Sequence, residues 1–153
     1  MLFRSKKTSL SAFTLIELLI VIAIISVLAG LVLGAASSVQ KKGARSRAEA
    51  EIAAIGAALE SYKADNGDYP INSSTANNTN LLTSLMPPPS IGGKVYFEFK
   101  SKWTNATLGA LDPFGNAYGY IYTNGSPNNG TNNYDLWSTA GGSANTNAWI
   151  KNW

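Results

Sequence analysis

Apolar residues crowd the front of this 153-residue chain. They run nearly unbroken from Phe13 to Ala36, and no side chain between Leu18 and Val39 is charged. As a helix rising ~1.5 Å per residue, the charge-free stretch covers ~33 Å, enough to cross the hydrocarbon of a bilayer. Beyond it the pattern changes without a breaker. No proline precedes Pro70, and Ala48, Ile52, Ile55, Leu59 and Tyr62 recur at helical steps of four and three. That spacing predicts one apolar stripe on an otherwise polar helix. It lasts about two heptads, short of the ~3–4 a coiled coil needs, so the chain's own domain is expected to cover it. Arg45 with Glu49 and Arg47 with Glu51 stand as i,i+4 pairs in the weaker, basic-first order. Asp65-Asn66-Gly67 followed by Pro70 ends the helix, with Gly67 as a left-handed cap.

The second half reads differently. Residues 71–80 are polar and predict a loop, and Leu81, Leu82, Leu85 and Met86 predict a short helix stopped by Pro87-Pro88-Pro89. Val95 to Lys100 alternates weakly, as a strand would. Asp112-Pro113-Phe114-Gly115 places Asp, Pro and Gly where a type I turn favours them. Strands are expected over Ala117–Thr123, Tyr134–Thr139 and Ala148–Trp153, the first two joined by the Asn- and Gly-rich loop Asn124–Asn133. Tyr118, Tyr120 and Tyr122 share one strand face and Ala117, Gly119 and Ile121 the other. One of these faces must cover the stripe. The fold class is therefore α+β: a long N-terminal helix packed on a small antiparallel sheet. The divisions expected are 1–12, an apolar helix over 13–40, an amphipathic helix over 41–66 and a small β-containing domain over 67–153.

Charge and chemistry narrow the function. Of 12 basic residues, Arg4, Lys6 and Lys7 lie in the first twelve, leaving nine basic against nine acidic side chains and no electrostatic reason for a nucleic-acid partner. Cys and His are absent, which excludes thiolate nucleophiles, disulfides, imidazole bases and the usual zinc sites. Asp65 and Asp68 serve a cap and turn and Asp112 a turn, so no constellation is left for catalysis. A secretory signal peptide has a shorter apolar region, ~7–15 residues. Gly34-Ala35-Ala36 is where such a signal would be cut.

The informative residue is Glu17, an acid inside an apolar segment and so a functional residue that wants a partner. Its surroundings, Ala12-Phe13-Thr14-Leu15-Ile16-Glu17 after a short basic leader and before an apolar helix, resemble the type IV prepilin cleavage and methylation motif. Cutting between Ala12 and Phe13 is implied, with Ala12 standing where the motif usually has Gly, followed by N-methylation of Phe13. The new α-amine is largely cationic, and the resemblance implies that Glu17 meets this amine on a neighbouring subunit. At ~4 Å and an effective dielectric of ~20 the attraction is ~4 kcal/mol. Desolvation removes much of it, so the pair sets register more than it supplies cohesion. Gly30 and Gly34 allow close helix contact, and Gly34 stands near where many type IV pilins have proline, freeing the backbone to extend during assembly.

Three further segments are similar to the major pseudopilin of type II secretion systems: Tyr62 to Pro70, Asp112-Pro113-Phe114-Gly115-Asn116, and Tyr134-Asp135-Leu136-Trp137-Ser138. The resemblance implies an inner-membrane, single-pass subunit with a periplasmic C-terminal domain, assembled into a periplasmic filament. The partners implied are further copies of itself, a prepilin peptidase, a membrane platform protein, an assembly ATPase and minor pseudopilins. A type IV pilus subunit for adhesion, motility or DNA uptake is the alternative within the family, and a tethered carbohydrate-binding module the alternative outside it. That family usually holds Ca²⁺ between the last strands, yet Leu136 to Trp153 contains no Asp or Glu. The oxygens on offer are Asp135, Ser138, Ser143, Asn145 and Asn147. Because Ca²⁺ affinity follows ligand charge, the expectation is no cofactor. Packing among Trp137, Trp149 and Trp153 would hold this corner instead.

Overall fold

The computed structural model describes residues 13–72, 78–123, 128–130, 132–142 and 144–153, with backbone alone for 35–37. Helix α1 spans Leu15–Asn66. The chain divides into two compact units, Met1–Gln40 and Lys41–Trp153, and α1 contributes to both. In the first unit α1 has an 18-residue window apolar enough to cross a membrane, with none of it buried by the chain. A helix apolar all round has no face for water, so lipid or other helices must cover it.

The second unit is built on the polar half of α1. Ala48, Ile52, Ile55, Ala58 and Leu59 are buried, and Tyr62 is half-buried against them, so the expected stripe is the core-facing one. Each fully buried Ile or Leu contributes roughly 1.5–3 kcal/mol. The helix stops at Asn66. Gly67 takes φ 86°, and its N–H donates to the Lys63 carbonyl at 2.8 Å, a left-handed cap at the expected residue. Arg45 with Glu49 and Arg47 with Glu51 pair at 3.2 and 2.8 Å.

Helix α2, Thr79–Leu85, follows and buries Leu81 and Leu85. It begins inside the stretch expected as loop. Asn78, at its N-cap, turns its side chain away from the helix. The Asn78 Nδ2 donates to the carbonyls of Ala110 (3.0 Å) and Tyr118 (2.7 Å), and Oδ1 accepts from Ala110 N–H at 2.6 Å. A buried amide thus satisfies the backbone of two separate segments. The expected strand at Val95–Lys100 does not form. The N–H groups of Tyr96 and Phe97 both donate to the single Leu85 carbonyl, so no ladder can grow there, and the apolar side chains serve packing instead: Phe99 is buried with its ring 4.7 Å from Phe97.

Strands β1 (Thr104–Asn105) and β2 (Gly109–Ala110) make a small unforeseen hairpin. The main sheet has order β3-β4-β5, all antiparallel: β3 Gly119–Ile121, β4 Asp135–Ser138 and β5 Ile150–Lys151, each inside an expected strand but shorter. The tyrosine face covers the helix. Tyr118 and Tyr120 are fully buried, Tyr118 Oη donates to Glu51 at 2.7 Å, and Tyr120 Oη to the Pro70 carbonyl at 2.8 Å. Burial and the Glu51 carboxylate push the Tyr118 hydroxyl up, so it stays a neutral donor. On the opposite face Trp137 lies across Gly119, its cross-strand partner. Trp149 stacks on Trp137 at 6.0 Å and Trp153 meets it edge-on at 5.9 Å, giving the expected indole cluster.

The segment after α1 is fastened by exposed carboxylates. Asp65 accepts from Lys94 Nζ at 2.5 Å and Tyr96 Oη at 3.0 Å; Asp68 accepts from Tyr122 Oη and from Tyr69 N–H at 2.8 Å. These bonds hold both carboxyls below the usual range, led by Lys94 for Asp65 and by the Tyr122 hydroxyl for Asp68.

Two outcomes are expected for detergent-solubilised full-length protein unfolded in urea and followed by tryptophan fluorescence. A Cβ at Gly119 would sit 1.9 Å from the Trp137 ring, whereas one at Gly142 meets nothing within 4 Å. Gly119→Ala should cost at least about 1–3 kcal/mol and Gly142→Ala less than about 0.5. Separately, a depressed folded-state pKa stabilises above the ordinary carboxylate value and loses that stabilisation as pH falls through the folded one. Stability should therefore decline below about pH 4, and Asp68→Asn should flatten that decline.

Candidate functional site

The candidate site starts at the N-terminus of α1. Thr14 precedes the first helical residue and Glu17 lies in the first turn. Glu17 Oε2 accepts from Thr14 N–H at 2.9 Å and from Thr14 Oγ1 at 2.7 Å, while Glu17 N–H donates to Thr14 Oγ1 at 3.3 Å. This is a capping box, in which threonine and glutamate satisfy each other across the first turn. The Thr-x-x-Glu spacing is the sequence signal for this cap, and Thr14 is the residue that an assembly role for Glu17 alone leaves out. Glu17 Oε1 accepts nothing from the described residues. Phe13 is three-quarters exposed beside it, and Ala12 lies outside the described residues. Gly30 and Gly34 are exposed, and nothing stands within 4 Å of where their Cβ atoms would be.

Among the described residues that offer oxygens to a cation, Asp135, Ser138 and Asn145 each engage theirs in bonds within the chain. Asp135 is buried, with Oδ2 accepting from Asn128 N–H (3.1 Å) and Nδ2 (2.9 Å) and Oδ1 from Asn129 N–H (3.1 Å). Ser138, three residues along β4 and so on its other face, donates to Asp112 Oδ2 at 2.6 Å and accepts from Ala140 N–H at 3.0 Å. Asn145 Oδ1 accepts from Asn147 N–H at 3.1 Å within the 3-10 turn Thr146–Ala148, and Ser143 lies outside the described residues. A Ca²⁺ ion on Asp135 would have to displace three N–H donors and find almost no other charge. The described residues do not fit the ion. Among the described residues no three Asp, Glu, His or Cys side chains are grouped to hold a metal.

Asp112 is the second polar residue whose full role the sequence hid. It closes the expected turn, with Gly115 N–H donating to its carbonyl at 2.9 Å, but its carboxylate is completely buried. Oδ1 accepts from Phe114 and Asn116 N–H at 3.0 and 2.9 Å, and Oδ2 takes the Ser138 hydroxyl. It ties the turn to β4. Of the aromatic residues a carbohydrate-binding surface would draw on, Tyr69, Tyr118, Tyr120, Tyr134 and Trp137 are buried.

Residues 36–153 match the family described as type II secretion system (T2SS), protein G, and residues 11–33 match the prokaryotic N-terminal methylation motif. The chain belongs to the protein G family. Among curated relatives, the "Type II secretion system core protein G" of Pseudomonas aeruginosa is 34% identical over 114 residues, covering 72% of each chain. The Escherichia coli protein of the same description is 35% identical over 106 residues, 69% of this chain and 68% of that one. The protein is thus a pseudopilin of type II secretion, a structural subunit and not an enzyme. Its methylation motif implies leader cleavage and methylation, and membership implies self-assembly and partners in the secretion machinery. One N-terminal apolar helix is consistent with anchoring in the inner membrane.

For this pseudopilin the thermal midpoint should be unmoved by chelator or by millimolar Ca²⁺. A ligand present at a hundred times its Kd would add about 2.7 kcal/mol, a shift that calorimetry would not miss.

Proposed function

We propose that this pseudopilin is stored as a single-pass inner-membrane protein with residues 41–153 in the periplasm, and enters a homopolymeric periplasmic filament through its N-terminal helix. A prepilin peptidase cuts between Ala12 and Phe13, Phe13 is N-methylated, and a platform protein with its ATPase adds the subunit to a filament that also takes up minor pseudopilins. Glu17 then accepts the α-amine of Phe13 from a neighbouring copy, while Gly30 and Gly34 let the packed helices approach closely. The growing filament pushes folded cargo toward the outer membrane.

The observation that carries this reading is the state of Glu17. Thr14 occupies one carboxylate oxygen and fixes the side chain, and Oε1 has no partner among the described residues. An exposed, ordered half-carboxylate at the head of an unburied apolar helix is what an incoming ammonium requires. The length of the apolar run, the match to the methylation motif and the family all agree with storage in a membrane before assembly.

Intact mass and N-terminal sequencing of membrane-extracted protein should give methyl-Phe13. Glu17→Leu should leave the subunit in the membrane with its periplasmic domain folded, yet reduce filament yield at least tenfold and stop exoprotein export. Filaments at the normal rate from that variant would overturn the proposal. Thr14→Ala should have a milder effect, because it loosens the cap at a cost of about 1 kcal/mol and leaves the charge.

A further inference from the structure

Just past the apolar run, α1 carries Lys41, Lys42, Arg45 and Arg47, with no acid until Glu49. The two arginines are engaged. Arg45 pairs with Glu49 and donates Nη1–H to the Ala148 carbonyl at 2.8 Å; Arg47 pairs with Glu51 and lies 4.4 Å over the Trp103 ring. The lysines are not. Both are exposed, neither has a carboxylate three or four residues away on α1, and neither forms an ion pair among the described residues.

Lys41, Lys42 and Arg45 line an open groove of about 430 Å³, with Phe114, Ala140 and Gly141 as its other wall. That wall is firmly built. Gly142 N–H donates to the Thr139 carbonyl at 2.9 Å and closes a turn with Ala140 at φ 52° and Gly141 at φ 81°. Alanine adopts this left-handed region only under constraint. The turn bears on Phe114, whose Cδ1 would lie 3.2 Å from a Cβ on Gly141.

We propose that this groove binds the phosphate of an anionic phospholipid of the phosphatidylglycerol type. Three features of the chain select this occupant. Lys41 and Lys42 follow Val39 by two and three residues, about 3–5 Å of helix rise, which is headgroup depth for a segment whose apolar part ends there. Four cations on the side of the membrane away from the leader run against the usual distribution of Lys and Arg, so an attraction on that side is called for. The Phe114 ring supplies an apolar wall beside the cations, suited to the glycerol and first acyl carbons rather than to a free anion. The inference rests on residues 13–40 lying in a membrane, as proposed above.

The test uses the full-length mature subunit in neutral detergent, with N-terminal methylation checked by mass in the same sample. Calorimetric titrations compare dioctanoyl-phosphatidylglycerol, dioctanoyl-phosphatidylcholine and inorganic phosphate. The glycerol lipid should bind at least tenfold more tightly than either, and more weakly as salt rises. Lys41→Gln with Lys42→Gln should weaken it about thirtyfold, roughly fivefold per lysine, without moving the thermal midpoint. Equal affinity for the two lipids, phosphate binding as tightly as the anionic lipid, or a double variant of unchanged affinity would each overturn the proposal. So would a double variant that loses copy–copy association in lipid-free micelles, since the lysines would then belong to a subunit contact. An unmethylated, uncut N-terminus would count against the storage reading alone and leave the titrations interpretable.

Discussion

A single uninterrupted helix has to satisfy two solvents. Over its first half every face of α1 is apolar, and over its second half only the stripe from Ala48 to Leu59 is, so one element demands lipid or neighbouring helices in one place and a covering domain in the other. Everything after Gly67 answers the second demand. Tyr118 and Tyr120 press on the stripe, Asn78 and Asp112 saturate the backbone that irregular segments leave open, and three short strands suffice because they need to shield only one side of one helix. The first demand is left open within the chain, and the packed-helix filament proposed above would meet it.

The helix, its stripe, its stop at Gly67 and the short leucine-rich helix were legible because each is written in local periodicity or in backbone-permissive residues. The three strands were legible in place but not in length, since their ends depend on which partner supplies the next hydrogen bond. Val95 to Lys100 misled because weak alternation resembles a strand whether or not an edge is available, and here both leading N–H groups converge on Leu85. The hairpin at Thr104–Ala110 carries only two residues per strand, too few to form a pattern. In the candidate site Glu17 stands out in the sequence as an acid in an apolar run, whereas the Thr14 cap that orders it is written only in a Thr-x-x-Glu spacing that the cleavage motif also contains.

The C-terminal corner is closed by hydrogen bonds in which amide side chains take a large part. Asp135 collects amides of Asn128 and Asn129, Asn152 bonds the backbone of Leu136 and Tyr134, and the indole of Trp149 reaches the Gly142 carbonyl at 3.0 Å while stacking on Trp137. Amide-rich loops are permissive in sequence and specific in structure. The many Asn residues that look like low-information filler between strands are, at positions 72, 78, 128, 129 and 152, the donors that close the domain.

The reciprocal cap at Thr14 and Glu17 has a kinetic consequence. Fixing a free glutamate side chain ordinarily costs about 1–2 kcal/mol of rotamer entropy. Here that ordering is already made within the chain, so in the proposed assembly a second chain would meet a carboxylate already in its final posture. Docking then slows only with the search for orientation, and a subunit that fails to engage can leave again without first unwinding its own helix.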